Sequence, residues 1–197
     1  MNEVYQMLPY ASEPQPAESL PHDYAPYRIP SAAFAWAHFT LGEVLSNYLE
    51  GDTCALWVTH FFIKQHGAFS RSIPRPAFEL LVPFRNRFQS YRTGLLCLKE
   101  NSLNLFYTNA AQEIIEVEAN QTYSQLSIYF KRSLLESFAA KSAALAHLLD
   151  QDAKGNSASL LPGPLYLDPA MIAVLNQLLR QDFPPALAPV FTDIKVA

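Results

Sequence analysis

Residues 94–130, GLLCLKENSLNLFYTNAAQEIIEVEANQTYSQLSIYF, decide how this chain is read. Leu95 to Lys99 is largely apolar and is followed by a turn at Glu100-Asn101. Leu103, Leu105 and Tyr107 then alternate with Ser102, Asn104 and Phe106. Thr108-Asn109 breaks that run, Ile114 to Val117 resumes it, and Ala119-Asn120-Gln121 turns the chain again. Leu126, Ile128 and Phe130 finally alternate with Gln125, Ser127 and Tyr129. A period of two broken by asparagine turns predicts four successive antiparallel strands. Four strands cannot cover their own apolar face, so the stretch belongs to a sandwich or barrel.

Outward from it, the upstream chain reads the same way. LWVTHFFI at 56–63 is an aromatic and β-branched strand, closed by a turn at Gln65-His66-Gly67. Ala68 to Ile73 is expected to pair back on it, and Ala77 to Phe84 to form the next strand. Residues 31–49 satisfy both periods; Phe34, Trp36 and His38 alternate, Gly42 interrupts a helix, and extended structure is favoured. In residues 1–30, Pro9, Pro14, Pro16, Pro21, Pro26 and Pro30 exclude helix and sheet interiors. That segment is an arm. It is read first as a disordered leader, and alternatively as a strap that docks through Tyr5, Tyr10, Tyr24 and Tyr27.

Downstream of Phe130 the period lengthens to that of a helix. Ser133-Leu134-Leu135-Glu136 has capping-box spacing, and Leu135, Phe138, Ser142, Leu145 and Leu149 mark one face of a helix or of a broken pair. Asp168-Pro169 starts another helix, with Met171, Ile172, Leu175, Leu178 and Leu179 as its stripe. Leu187, Val190, Phe191 and Ile194 have the spacing of a further amphipathic helix, from which the chain is read as the front part of a longer protein.

The composition narrows the function classes. The chain has 197 residues, half of them hydrophobic, enough for one domain with a sizeable core. A net charge of −4 gives no global attraction to nucleic acid or anionic membranes. No basic, apolar leader and no bilayer-length apolar run occur, so a cytoplasmic protein is expected. Cys54 and Cys97 are read as buried thiols in a reducing compartment.

The order of arm, strands, capped helix and Asp-Pro helix resembles the N-terminal sensory and dimerisation domain of AraC-type bacterial transcription regulators. LWVTHFFI at 56–63, FELLVPFRNRFQ at 78–89, residues 102–130 and PLYLDPAMIAVLNQLL at 164–179 carry the resemblance, which covers most of residues 40–197. It implies a mainly β fold with C-terminal helices, a cupin-like jelly-roll over 31–131 and a helical segment over 132–197. It further implies a small-molecule effector, a homodimer, and DNA reading by a helix-turn-helix part that lies outside this sequence.

The histidines His22, His38, His60, His66 and His147 contain no two-apart pair on one strand, the spacing by which a cupin gathers a metal, so no metal and no cofactor is expected. No nucleophile elbow or phosphate loop occurs, and Glu116 with Glu118 reads as an exposed face, so the chain is read as no enzyme. Trp57, Phe61, Phe78, Leu80, Val82, Tyr107 and Tyr129 are the candidate barrel lining, although in small barrels such side chains by default simply fill the interior. Arg75 or Arg87 is the candidate contact for an anionic ligand at the barrel mouth. Met171, Leu175, Leu178, Leu179, Leu187, Val190, Phe191 and Ile194 are the candidate dimer face. A metal-free cupin-type enzyme and a dimerisation module with a filled barrel are the alternatives.

Overall fold

A computed structural model describes residues 7–8, 15–16, 20–73, 76–86, 89–91, 98–109 and 111–179; for 7–8, 15–16, 70–73, 89–91, 111–113 and 178 it describes the backbone alone. Two antiparallel sheets make the body. The larger runs, edge to edge, β12 (Ala158–Ser159), β9 (Ser102–Thr108), β7 (Ala77–Arg85), β11 (Gln121–Phe130), β5 (Cys54–Ile63), β4 (Gly42–Glu50), β3 (Ala33–Phe39) and β2 (Gln15–Pro16), with β13 (Leu165–Tyr166) also paired to β9. The smaller runs β1 (Met7–Leu8), β6 (Gly67–Ile73), β10 (Ala111–Val117) and β8 (Gln89–Tyr91).

From β5 to β11 each successive strand changes sheet, so β9, β7, β11 and β5 lie in one layer and β6, β10 and β8 in the other. That alternation is a jelly-roll, two Greek keys wound together. The expected strands are present over 33–39, 42–50, 54–63, 77–85, 102–108 and 121–130. The predicted piece over Leu95–Cys97 lies outside the described residues, while Leu98 and Lys99 are loop. One expected pairing differs. Segment 67–73 does not fold back on β5; it crosses to the other layer and pairs with β10, Phe69 opposite Ile115. β5 instead has β4 and β11 at its two edges. Asn86, Asn101 and Asn120 take left-handed backbone angles at the ends of strands, which asparagine tolerates better than most residues. Gly42 opens β4 so close to β5 that a Cβ there would sit 2.0 Å from the Phe62 carbonyl oxygen.

The period of two gives the large sheet two unlike faces, and both are covered. One faces the small sheet, where Phe61, Ile63 and Tyr123 pack on Phe69, Ile115 and Val117. The other carries Leu56, Val58, Val82, Leu126 and Ile128, which meet Ile29 and Ala32 before the barrel and Leu175 after it. On this same outer face Phe78, Leu105 and Tyr107 pack on Leu135, Leu145, Leu148 and Leu149. These last come from α1 (Arg132–Ala139) and α2 (Ala143–Ala153), the broken helix pair. The expected capping box at Ser133 does not form. Lys131 stands at the start of α1 without a side-chain cap, whereas Ser142 caps α2 by accepting from the Leu145 N–H. Ser133 has already entered the helix, two residues past the cap position at Lys131, too late for its hydroxyl to reach the free amides. α3 (Pro169–Leu179) begins as predicted, with Asp168 Oδ1 accepting from the Met171 N–H at 2.8 Å.

The end of the arm is a strap on the outer face. Residues His22–Tyr27 form a 3-10 turn whose Tyr24 ring lies 4.3 Å from Trp36 and whose Tyr27 ring lies 5.0 Å from His60, centroid to centroid. Buried Asn47 fastens the strap from below. Its Oδ1 accepts from the Ile29 N–H and its Nδ2 donates to the Tyr27 carbonyl, both at 2.9 Å. Tyr24 donates to Glu43, which Lys64 also reaches at 2.7 Å. The docking reading of the arm therefore holds for Tyr24 and Tyr27, and Tyr5 and Tyr10 lie outside the described residues.

Candidate functional site

The inner face of the large sheet is built in three rows that cross β4, β5, β11 and β7. Ser46, Thr59, Gln125 and Pro83 are register partners in the first row; Tyr48, Trp57, Ser127 and Leu81 in the second; Glu50, Ala55, Tyr129 and Glu79 in the third. Thr59, Gln125, Ser127 and Glu79 are buried although polar, and Glu79 is only 1% exposed. The far end of this face is plugged by Phe61, Phe69, Ile115, Val117 and Tyr123. At the near end it opens into a cavity of about 560 Å³ walled by Ser46, Tyr48, Glu50, Ala55, Trp57 and Tyr129, with Pro76, Ala77 and Lys131 around it.

The geometry suits a ring held by its face and its edge. Tyr48 and Trp57 lie against each other with centroids 4.6 Å apart at 42°. The Tyr48 hydroxyl donates to Glu50 Oε2 at 2.7 Å, and burial together with that carboxylate raises its pKa well above the usual phenol range, so it stays a donor. Tyr129 donates to Glu79 Oε1 at 2.7 Å, and the Ser46 and Thr59 hydroxyls are 3.3 Å apart. Aromatic walls with the hydroxyls of Ser46, Tyr48 and Tyr129 and the Glu50 carboxylate between them can take a small molecule with one flat apolar side and several hydrogen-bonding substituents. Among the described residues no group of three or more His, Cys, Asp or Glu side chains could hold a metal ion. His60 bonds Ser124 on the outer face and His66 lies 3.3 Å from Glu118, so the two do not share a site.

The structure divides the predicted lining. Trp57, Phe61 and Tyr129 are on the inner face; Trp57 and Tyr129 wall the cavity, and Phe61 belongs to the plug. Phe78, Leu80, Val82 and Tyr107 are on the outer face, paired in register with Phe130, Ile128, Leu126 and Phe78, and of these Phe78, at the end of its strand, also borders the cavity. They lie there because α1, α2 and α3 bury that face, so the apolar half of each strand points away from the barrel interior. Arg75 and Arg87 lie outside the described residues. The sequence reading missed Ser46, Tyr48, Thr59, Glu79, Gln125 and Ser127. Their signal was the polar half of the same alternation, and Glu79 inside the apolar run FELLVPF.

Of the predicted dimer face, Leu175 is buried against the sheet and Leu179 packs beside it, while Met171 is exposed. The side chain of Leu178, and all of Leu187, Val190, Phe191 and Ile194, lie outside the described residues. Among the described residues no helix is long and apolar enough to cross a membrane.

No family model matches the sequence, and no curated protein matches it. Among solved structures, a cupin-2 domain from Rhodospirillum rubrum is similar at TM-score 0.39 and 12% identity, over 93% of this chain and 98% of that one. A Salmonella typhimurium protein described as ethanolamine utilization protein Q is similar at TM-score 0.34 and 8% identity, over 64% and 97%. At these scores neither likeness says what this chain binds or does. The jelly-roll rests on its own strand order and register.

Proposed function

We propose that this chain is the effector-sensing part of a transcription regulator of AraC type, taking a small molecule into the open end of its jelly-roll. The cavity over Trp57, Tyr48 and Tyr129 carries the reading, because a barrel that served only as a spacer would have no reason to keep one end open. On this reading the protein is cytoplasmic, works as a homodimer, and reaches DNA through a part outside this sequence. A route for the signal is built into the strands. Trp57 faces the cavity while its neighbours Leu56 and Val58 face the outer cluster that includes Leu175 of α3, and Tyr129 stands in the same relation to Ile128 and Phe130. An effector acts by binding one arrangement of barrel and helices better than another.

A thermal-shift panel of sugars, siderophores and aromatic acids tests the proposal. A true effector at a hundred times its Kd adds about 2.7 kcal/mol, which for a chain of this size raises Tm by roughly 5–10 °C. The shift should vanish in Trp57→Ala. A panel without a hit, or a hit indifferent to Trp57→Ala, overturns the proposal.

One observation favours a second reading, a metal-free enzyme. Glu79 is a buried carboxyl held by a phenol, a pairing that acid–base chemistry can use. Turnover of any hit from the panel, lost in Glu79→Gln, would decide for it.

A further inference from the structure

The rim of the cavity over Trp57 and Tyr129 carries two opposite charges, Glu50 and Lys131, both exposed. Glu50, Ala55 and Tyr129 are register partners on β4, β5 and β11. Lys131 stands two residues beyond Tyr129, still in extended backbone, so it falls on the same side of the chain. The two charges do not neutralise each other. The Glu50 carboxylate accepts from the Tyr48 hydroxyl through Oε2, which leaves Oε1 for a further donor, and among the described residues no ion pair joins Glu50 to Lys131. We infer that the molecule this cavity takes is a small zwitterion, an amino acid with a flat apolar side chain, whose ammonium meets Glu50 and whose carboxylate meets Lys131. The inference rests on the effector reading of the cavity and names the chemical class of the effector.

The spacing suits one molecule held from both ends. Neighbouring strands lie about 4.8 Å apart, so β4 and β11, with β5 between them, are roughly 10 Å apart. That is close enough for two long side chains to reach the same small ligand. Ala55 stands between Glu50 and Tyr129 and puts only a methyl group in the gap. Beside it the Tyr48 and Trp57 rings, 4.6 Å apart at 42°, make an apolar corner for a flat side chain, and their π faces favour an ammonium nearby. A bare amine would bring a second positive charge to Lys131, and a bare acid a second negative charge to Glu50. A ligand with both charges complements both ends of the rim. Each of these water-exposed ion pairs should contribute roughly three- to fivefold to Kd.

The test is calorimetric titration of the full chain at neutral pH with three probes that share one ring system: tryptophan, tryptamine, which lacks the carboxylate, and indole-3-propionate, which lacks the ammonium. Tryptophan should bind more tightly than either by roughly threefold or more, and Trp57→Ala should abolish its binding. Glu50→Gln, which keeps an acceptor for the Tyr48 hydroxyl, should weaken tryptophan and tryptamine by roughly three- to fivefold and spare indole-3-propionate. Lys131→Gln should weaken tryptophan and indole-3-propionate by as much and spare tryptamine. Tryptamine or indole-3-propionate binding as tightly as tryptophan overturns the inference. So does a substitution that weakens all three probes alike or none of them, or tryptophan binding that survives Trp57→Ala. If none of the three binds while a sugar or siderophore binds through Trp57, the ligand class is wrong and the sensor reading stands; if nothing binds through Trp57, both fall.

Discussion

Acid should loosen this fold through one side chain, His60. It is 6% exposed, its Nδ1 is 2.8 Å from Ser124 Oγ, and the rings of Tyr27 and Phe84 lie 5.0 and 6.1 Å away. Burial first, and the Arg85 charge second, push its pKa down to about 4 from the ordinary 6.5. The folded state therefore binds this proton more weakly than the unfolded chain. The stabilisation is complete above pH 6.5, falls as the pH drops from 6.5 towards 4, and changes no further below that. At 1.36 kcal/mol per pH unit the full loss is about 3 kcal/mol, of which about 2 kcal/mol is gone at pH 5. Glu43 acts in a lower window. Burial alone would raise its pKa, but hydrogen bonds from Lys64 and Tyr24 and the nearby charges of Lys64 and His38 bring it below 4.5, so its contribution is lost only at more acid pH. Urea melts of the wild type and of His60→Gln at pH 7.5 and 5.0 isolate the effect. The variant starts less stable, and its further loss on acidification should be smaller than the wild type's by about 2 kcal/mol. Parallel losses in the two proteins would refute the account.

Three further substitutions test the architecture. Asn47→Ala leaves the Ile29 N–H and the Tyr27 carbonyl without their buried partner and should cost about 2–4 kcal/mol in a urea melt, with faster tryptic cleavage after Arg28. Leu148→Ala removes a side chain that is 0% exposed between the helices and the sheet, and should cost about 2–5 kcal/mol by the same measurement. Asp168→Ala removes the cap of α3 and should cost about 1 kcal/mol, seen as faster amide exchange confined to that helix.

The strands were legible because their signal is local. Ser102 to Phe106 and Gln125 to Phe130 alternate cleanly, and Asn101 and Asn120 mark turns whose left-handed angles the backbone confirms. The orientation of the faces was not legible. A period of two says that the two sides of a strand differ; it does not say which side meets which layer. Here helices downstream of the barrel cover the side that carries Leu80, Val82, Leu126 and Ile128, so the polar side, with Thr59, Gln125 and Ser127, is the one turned inward. The same locality explains the misplaced partner of segment 67–73. A turn at 65–67 is compatible with a hairpin and with a crossing between layers, and only the distant strand β10 decides between them.

An interior turned polar is costly unless it is used, and that gives the site a test separate from any ligand. The Ser46 and Thr59 hydroxyls lie side by side at 3.3 Å and hydrogen-bond each other. When both members of such a pair are replaced by apolar groups of similar shape, the exchange is nearly neutral or stabilising, because no buried donor is stranded. The double variant Ser46→Ala/Thr59→Val is therefore expected to melt within about 1 kcal/mol of the wild type or above it, while either single change strands its partner and does worse. If the pair were a fastening of the barrel, the double variant would instead fall by more than either single one. Stability kept while effector binding is lost would mean that these hydroxyls are held in the interior for what enters it; stability lost would return them to the frame.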